Sequence, residues 1–240
     1  MASKGTVIVT GGSQGIGAAV VQSFLERGYA VVATARKASK APFEPSPNLV
    51  LVDGDIGQEA TAKAVTETAI SRFGSIDHVV ANAGIFIAKP FVDYTPEDFR
   101  ALVSTNLEGF LYVTQLAVKQ MLSQGKGGSV TGITTSLVDN PNAALAASVA
   151  MITKGGLTAV LLSLASEYAK LHVRFNAVAP GIVDTPMHTN NPKDFLKTLS
   201  PMATISSAQD IADAVVYLAE AKNVTGEVLH VDGGSHVGRW

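Results

Sequence analysis

The 240-residue chain is long for one domain yet short for two, and with 47% hydrophobic and 16% charged residues it can bury a large core. Its 18 Lys and Arg against 20 Asp and Glu leave a formal charge of −2, with no basic stripe pointing to nucleic acid and no basic amphipathic helix pointing to a membrane surface. Cysteine is absent, which excludes disulfides, thiolate metal sites and cysteine nucleophiles.

Met1–Gly5 leads into the apolar stretch Thr6–Thr10, too short for the core of a secretion signal. No apolar run is read as approaching a membrane span. A soluble cytoplasmic protein is expected. In chain order, Thr6–Thr10, Ala30–Thr34, Leu49–Asp53, Ile76–Ala81, Ser129–Ile133, Val173–Val178 and Glu227–Val231 read as buried strands. Their near-continuous Val, Ile and Leu, without strict alternation, suit parallel strands covered on both faces. Between them lie helical patterns at 15–27, 58–73, 96–124, 148–170 and 208–221. Thr95-Pro96-Glu97-Asp98 combines an N-cap, an N1 proline and acids at the positive end of a helix. Strand–helix alternation along the whole chain predicts an α/β fold with a doubly wound parallel sheet. With no repeat, low-complexity tract or linker, residues 1–240 are read as one domain. The Pro-rich stretch Ala41–Pro47 is a loop.

The first strand runs straight into Gly11-Gly12-Ser13-Gln14-Gly15-Ile16-Gly17, which opens the first helix. Gly11 permits a tight turn, Gly15 lets backbone reach a pyrophosphate, and Gly17 lets helix and strand pack closely. The helix N-terminus then offers free N–H groups to phosphates. The spacing is neither G-x-G-x-x-G nor a P-loop, and glycines alone would fit an ordinary β–α turn. The strand before and the helix after them point to dinucleotide binding.

Thr10-Gly11-x-x-x-Gly15-x-Gly17 resembles the cofactor motif of the short-chain dehydrogenases/reductases, and the likeness continues along essentially the whole chain. Asp55-Ile56 resembles the family's adenine contact, Asn82-Ala83-Gly84 its Asn-Ala-Gly motif, and Asn106-Leu107-x-Gly109 its active-site asparagine helix. Asn176–Gly181 and Thr185-Pro186 resemble the nicotinamide-side segment, taken to include Pro180, Gly181, Val183 and Thr185. Thr225-Gly226 and Val231–Gly234 resemble the C-terminal strand signature. The resemblance implies a single-domain Rossmann fold of about seven parallel strands, a nicotinamide cofactor, a small-molecule substrate and assembly as a homotetramer or homodimer. At the end of the second strand, an NAD-preferring site would carry a carboxylate for the ribose 2′-hydroxyl, and that acid would repel a 2′-phosphate. Position 35 is Ala, and Arg36 and Lys37 follow. Two solvated surface cations are the plain alternative. The absent acid and the planar guanidinium favour NADP(H).

The resemblance also implies a reaction centre in which a tyrosine donates the proton, a lysine one turn later lowers that tyrosine's pKa and holds the ribose, and a serine orients the carbonyl. Lys154 matches the lysine. Four residues earlier stands Ala150, and the tyrosines at 29, 94, 112, 168 and 217 all lie elsewhere. A positioned general acid contributes about 10²–10⁴-fold in rate, so ordinary carbonyl reduction is in question. Ser136 is preferred over Thr135 as the active-site hydroxyl, although one residue is inserted between it and position 150, and a turn-capping role is the alternative. Asn106 is the implied catalytic asparagine, placed by the family at a helix bulge; a polar side chain mending a helix irregularity is the alternative. His188 lies near the expected substrate loop, and the five histidines show no metal spacing. Three readings follow. Water in the room left by the phenol relays a proton from Lys154 or Ser136 during carbonyl reduction; or the substrate arrives already protonated, as an iminium ion; or the chain binds NADP without catalysis, naturally or by design. Substrate choice is assigned to the Met187–Met202 segment.

Overall fold

Consecutive residues of a strand point to opposite faces of a sheet. In β1 (Thr6–Thr10) every residue is buried, which requires cover on both faces. The computed structural model, which describes residues 3–238, supplies it. Strands β1, β2 (Ala30–Ala35), β3 (Leu49–Asp53), β4 (His78–Ala81), β5 (Gly128–Ile133), β6 (Val173–Pro180) and β7 (Val228–Val231) form one parallel sheet in the order β3-β2-β1-β4-β5-β6-β7. Val7 and Val9 face the layer of α1 (Gly15–Glu26) and α7 (Ala208–Glu220), with Val20, Phe24, Ile211 and Val215. Ile8 faces the layer of α2 (Glu59–Phe73), α4 (Gly109–Gln124) and α5 (Ser148–Tyr168), with Val65, Val113 and Leu161. The seven-stranded doubly wound sheet predicted from the sequence is the observed fold.

The single long pattern over 96–124 is three pieces. Pro96–Val103 forms α3, opened by a reciprocal capping box between Thr95 and Asp98, and one π turn, Ser104–Glu108, joins it to α4. β4 starts two residues later than expected, because the Gln124 side chain takes both the N–H and the C=O of Ile76. The short α6 (Lys193–Lys197) was not foreseen. The expectation of no membrane-length apolar run needs correcting. Ser148–Leu171, α5 with its 3₁₀ extension, has a mean hydropathy of 1.5 and the length and composition to cross a bilayer. Its apolar character serves the sheet on one face, through Leu157, Leu161 and Ala165, while Ile152 and Leu162 stay exposed.

The strand order reverses between β1 and β4. Connections leave these strands toward opposite faces of the sheet, so a crevice opens beyond their carboxyl ends. The glycine turn, Asp55-Ile56, Asn82–Gly84, Ser136 and Pro180–Thr185 lie at that edge, whereas Thr225-Gly226 precedes β7 and bonds Phe175 near the start of β6.

Candidate active site

Gly11 and Gly15 adopt left-handed backbone, with φ of +65° and +54°. A Cβ on Gly11 would stand 2.9 Å from Ala83 Cα, so the turn rests against the loop after β4. One on Gly17 would overlap the carbonyl oxygen of Gly11 and stand 2.6 Å from Asn82 Nδ2. The first obstacle is backbone, and Asn82 Nδ2, though the end of a side chain, is held by its hydrogen bonds to the Thr10 and Gly11 carbonyls. Gly17→Ala is therefore expected to lower stability by about 3 kcal/mol, the upper end for overpacking, and urea unfolding measures it. A variant as stable as the parent would show that the turn yields.

The N-cap Gln14 makes no side-chain cap and the first turn of α1 holds no acid. The N–H groups of Gly15, Ile16 and Gly17, unbonded within the helix, give this end a partial positive charge. Asn82 holds the wall opposite. Its amide donates to the carbonyls of Thr10 and Gly11 at 2.9 and 3.1 Å, and its N–H and that of Ala83 donate to Thr10 Oγ1.

A cleft of about 1950 Å³ runs from this turn to the far side of the sheet edge. It is lined by Gly11, Ser13–Gly17, Arg36, Lys37, Asp55, Ile56, Asn82–Gly84, Ser136, Lys154, Pro180, Gly181, Val183 and Thr185, so the structure brings all these expected residues to one surface. Arg36 and Lys37 are exposed, and their side chains make no ion pair or hydrogen bond among the described residues. Asp53, opposite Ala35 in the sheet register, does not line the cleft. The N–H and hydroxyl of Ser39 bind its carboxylate at 2.8 and 2.7 Å and hold its pKa below the ordinary value.

At the other end, Lys154 is buried on α5 and donates from Nζ to the Ile133 carbonyl at 2.8 Å. Burial pulls its pKa from the ordinary 10.5 to about 8. Ser136 opens a 3₁₀ turn after β5. It is buried at the cleft wall, and its hydroxyl makes no hydrogen bond to protein among the described residues. The neighbouring Thr135 hydroxyl accepts from Leu137 N–H instead. The ammonium and the free hydroxyl can bind, orient and protonate a small polar group.

Two expected members sit outside the cleft. Asn106, in the π turn, is buried: Oδ1 accepts from Ile85 N–H at 2.8 Å, and Nδ2 donates to the Ile85 carbonyl and Thr153 Oγ1 at 3.0 Å each. Its side chain fixes the loop after β4 against α5. Ala150, one turn before Lys154, is 0% exposed in an apolar cluster with Leu102, Ala147 and Val149, against which Ile85, Phe86 and Tyr94 pack. Of the three readings, the one that puts water beside Ala150 finds no room there in this structure, because apolar side chains cover the position. Ile85 and Phe86 stand both against that cluster and along the cleft.

The sequence reading missed a clasp beyond Ser136. Asn140 Nδ2 donates to the carbonyls of Ser235 and Gly238 at 2.7 and 2.8 Å, and His230 Nε2 lies 2.8 Å from Asp139 Oδ2. His230 stacks on His236 at 3.8 Å, and His236 Nδ1 reaches the Asp232 carboxylate at 3.0 Å. The contacts of Asn140 and Asp139 span 91 to 98 residues, which no local pattern reveals. No cluster fit for a metal ion occurs among the described residues.

Comparison with known proteins adds to this geometry. A family model described as Enoyl-(Acyl carrier protein) reductase matches residues 11–236. The L-rhamnose-1-dehydrogenase of Scheffersomyces stipitis is 30% identical over 96% of this chain and 95% of its own length. The 3-oxoacyl-[acyl-carrier-protein] reductase of Bos taurus is 34% identical over 94% of this chain and 95% of its own. Among solved structures, a 3-ketoacyl-(acyl-carrier-protein) reductase from Brucella melitensis complexed with NADH superposes with a TM-score of 0.91 at 27% identity, covering 98% of this chain and 99% of that one. ElxO with NADP bound superposes at 0.90 with 25% identity, covering 98% and 100%.

Proposed function

The chain belongs to the short-chain dehydrogenase/reductase family of oxidoreductases, and from that premise we propose that it is an NADPH-dependent reductase of small carbonyl or imine substrates with an atypical centre lacking the tyrosine acid. The observation that carries the proposal is the continuous cleft, which has a phosphate-ready helix end at one side and an ammonium with a free hydroxyl at the other.

The fit to a dinucleotide rests on the cradle. With side chains at Gly11 and Gly15 the left-handed turn would be strained, and a Cβ on Gly84 would crowd Lys154 Nζ at 3.2 Å and Asn106 Oδ1 at 3.3 Å. Gly15–Gly17 would hold the pyrophosphate by backbone N–H, and Asp55 and Ile56 the adenine side. Arg36 and Lys37 would hold a 2′-phosphate, and Lys154, Pro180, Gly181, Val183 and Thr185 the nicotinamide side. When bound, the reduced cofactor supplies a hydride to the carbonyl or iminium carbon and leaves oxidised, while a proton goes to the carbonyl oxygen. Ser136 orients that oxygen. Lys154, with its pKa drawn down to about 8 by burial, holds a proton it can release near neutral pH. Asn106 keeps the loop after β4 in register with Lys154 through Thr153. The apolar cover of Ala150 favours a second reading, NADP binding without turnover, which an absence of NADPH consumption with every carbonyl and imine would support. The homodimer or homotetramer implied by the family would cover apolar side chains left exposed on α4 and α5, such as Leu111 and Ile152.

Cofactor titration by nicotinamide fluorescence tests the assignment. NADPH is expected to bind more tightly than NADH, and Arg36→Ala to weaken NADPH by about 1.5–3 kcal/mol, the scale of a charge-assisted contact, without changing NADH. Equal affinities in the parent protein would refute the NADP preference.

A further inference from the structure

We propose that the substrate half of this cleft selects a largely apolar ketone or cyclic imine over a sugar or a carrier-bound acyl thioester; the inference rests on the reductase reading above. Two segments build this half, the one after β5 through Leu145 and the one after β6 through Leu199. They present Leu137, Leu145, Met187, Phe195 and Leu199 to the cleft. Met187 is 59% exposed and Phe195 45%, so apolar surface stands uncovered at the mouth rather than in the core.

Most polar side chains of the same wall already carry a hydrogen bond to the protein. Asn140 gives its amide to the carbonyls of Ser235 and Gly238, and Asn142 Oδ1 accepts from Ala144 N–H at 2.9 Å. His188 Nδ1 lies 3.4 Å from Asn191 Oδ1, and Thr198 Oγ1 donates to the Phe195 carbonyl at 2.7 Å. Ser235 Oγ donates to the carbonyls of Leu199 and Asp232. Among the described residues, the Ser136 hydroxyl is the buried hydroxyl of this wall without a protein partner, and it suits one carbonyl oxygen or one imine nitrogen; Asn142 Nδ2 and Asn191 Nδ2, at less buried positions, also keep their donors free.

A polyhydroxylated substrate would press several hydroxyls against the apolar surface of Leu137, Leu145, Met187 and Phe195 and find one buried hydroxyl partner, and each unpaired buried hydroxyl weakens binding. A coenzyme A or acyl-carrier thioester brings phosphates or an acidic protein surface and needs cations at the mouth. Among the described residues lining the cleft the cations are Arg36, Lys37 and Lys154, all committed to the cofactor in the reading above. An alkyl ketone instead buries its carbons against the Met187–Phe195 wall and leaves nothing unpaired.

The test uses the full chain. Calorimetry first measures NADPH binding, then the binding of each probe to the NADP⁺-loaded protein, and NADPH consumption is followed with the same probes. The probes are an alkyl-substituted cyclohexanone, a dihydroisoquinoline, fructose and acetoacetyl coenzyme A. The cyclohexanone and the dihydroisoquinoline are expected to bind, and the better of them to exceed fructose and acetoacetyl coenzyme A by about 100-fold in kcat/KM or in affinity. Met187→Lys, at an exposed position, is expected to weaken the cyclohexanone about 10-fold or more while NADPH affinity stays unchanged. Intact NADPH binding with fructose or the thioester equal to or better than the apolar probes overturns the substrate class alone. So does intact NADPH binding with neither apolar probe bound. Failure to bind NADPH removes the reductase reading and this inference with it.

Discussion

Lys154→Met is expected to remove most turnover and, in the cofactor-free protein, to flatten the pH dependence of stability. Nζ is buried with one neutral partner, the Ile133 carbonyl, and no carboxylate pairs with it among the described residues. Burial disfavours the ammonium, so the folded pKa falls to about 8 while the unfolded chain keeps the ordinary 10.5. Between those values the unfolded state binds the more protons, so stability rises with pH across that window and is flat below about pH 8. The gap between the two pKa values corresponds to about 3 kcal/mol. Methionine fills the space of the lysine stem and cannot titrate. Urea unfolding of both proteins at neutral pH and at pH near 10.5 should show the parent gaining about 3 kcal/mol relative to the variant. The stranded Ile133 carbonyl shifts the variant's curve by a constant and leaves the slope untouched. Parallel curves would mean that Lys154 titrates as in water. At saturating NADPH, kcat for the apolar ketone should fall by about 10²–10⁴-fold if the lysine supplies the proton. An unchanged kcat would leave it an anchor only.

The sheet was legible because parallel strands covered on both faces carry near-continuous Val, Ile and Leu, and every connection but the one between β2 and β3 left room for a helical pattern. Glycines between β1 and α1 were legible for a local reason, since Gly11, Gly15 and Gly17 each answer a constraint within one turn. The division of residues 96–124 was not visible in the hydrophobic pattern. A π turn adds one residue and lets the pattern continue, and the family's bulge near Asn106 was the one sign of it. The five-residue α6 is too short to show a period. What failed most was the surroundings of side chains. Asn106 and Thr153 are 47 residues apart, and nothing in either local sequence marks them as partners. Counting four residues back from Lys154 located Ala150 on the same helix face, yet whether that face was open depended on Ile85 and Phe86, which arrive from the loop after β4.

That arrangement decides what a restored phenol would do. Ala150→Tyr places a ring where the Ala side chain is fully covered by Leu102, Ala147 and Val149, with Phe86 packed on the cluster. Overpacking by even a few atoms costs about 1–3 kcal/mol, so the single variant should unfold at lower urea and gain little reductase activity. Phe86 both packs on that cluster and lines the cleft, so shortening it is expected to open position 150 toward the cleft that Lys154 lines. Phe86→Ala alone should lose stability through the void it leaves, about 3–5 kcal/mol for a large ring well packed and less for one partly exposed. In the double variant the phenol occupies that void, and the two losses should compensate rather than add, a coupling a double-mutant cycle measures directly. With the ring turned into the cleft, the neighbouring ammonium draws the phenol pKa below its ordinary value of about 10, and a positioned acid then contributes within the range of about 10²–10⁴-fold. NADPH-dependent reduction of the alkyl cyclohexanone by parent, both single variants and the double variant is the measurement. A gain confined to the double variant, with recovered stability, identifies Phe86 as the residue that closes the position. A gain already present in Ala150→Tyr would show that the cluster yields to the ring without help. Additive stability losses with no gain in any variant would refute the coupling and place the path from position 150 elsewhere.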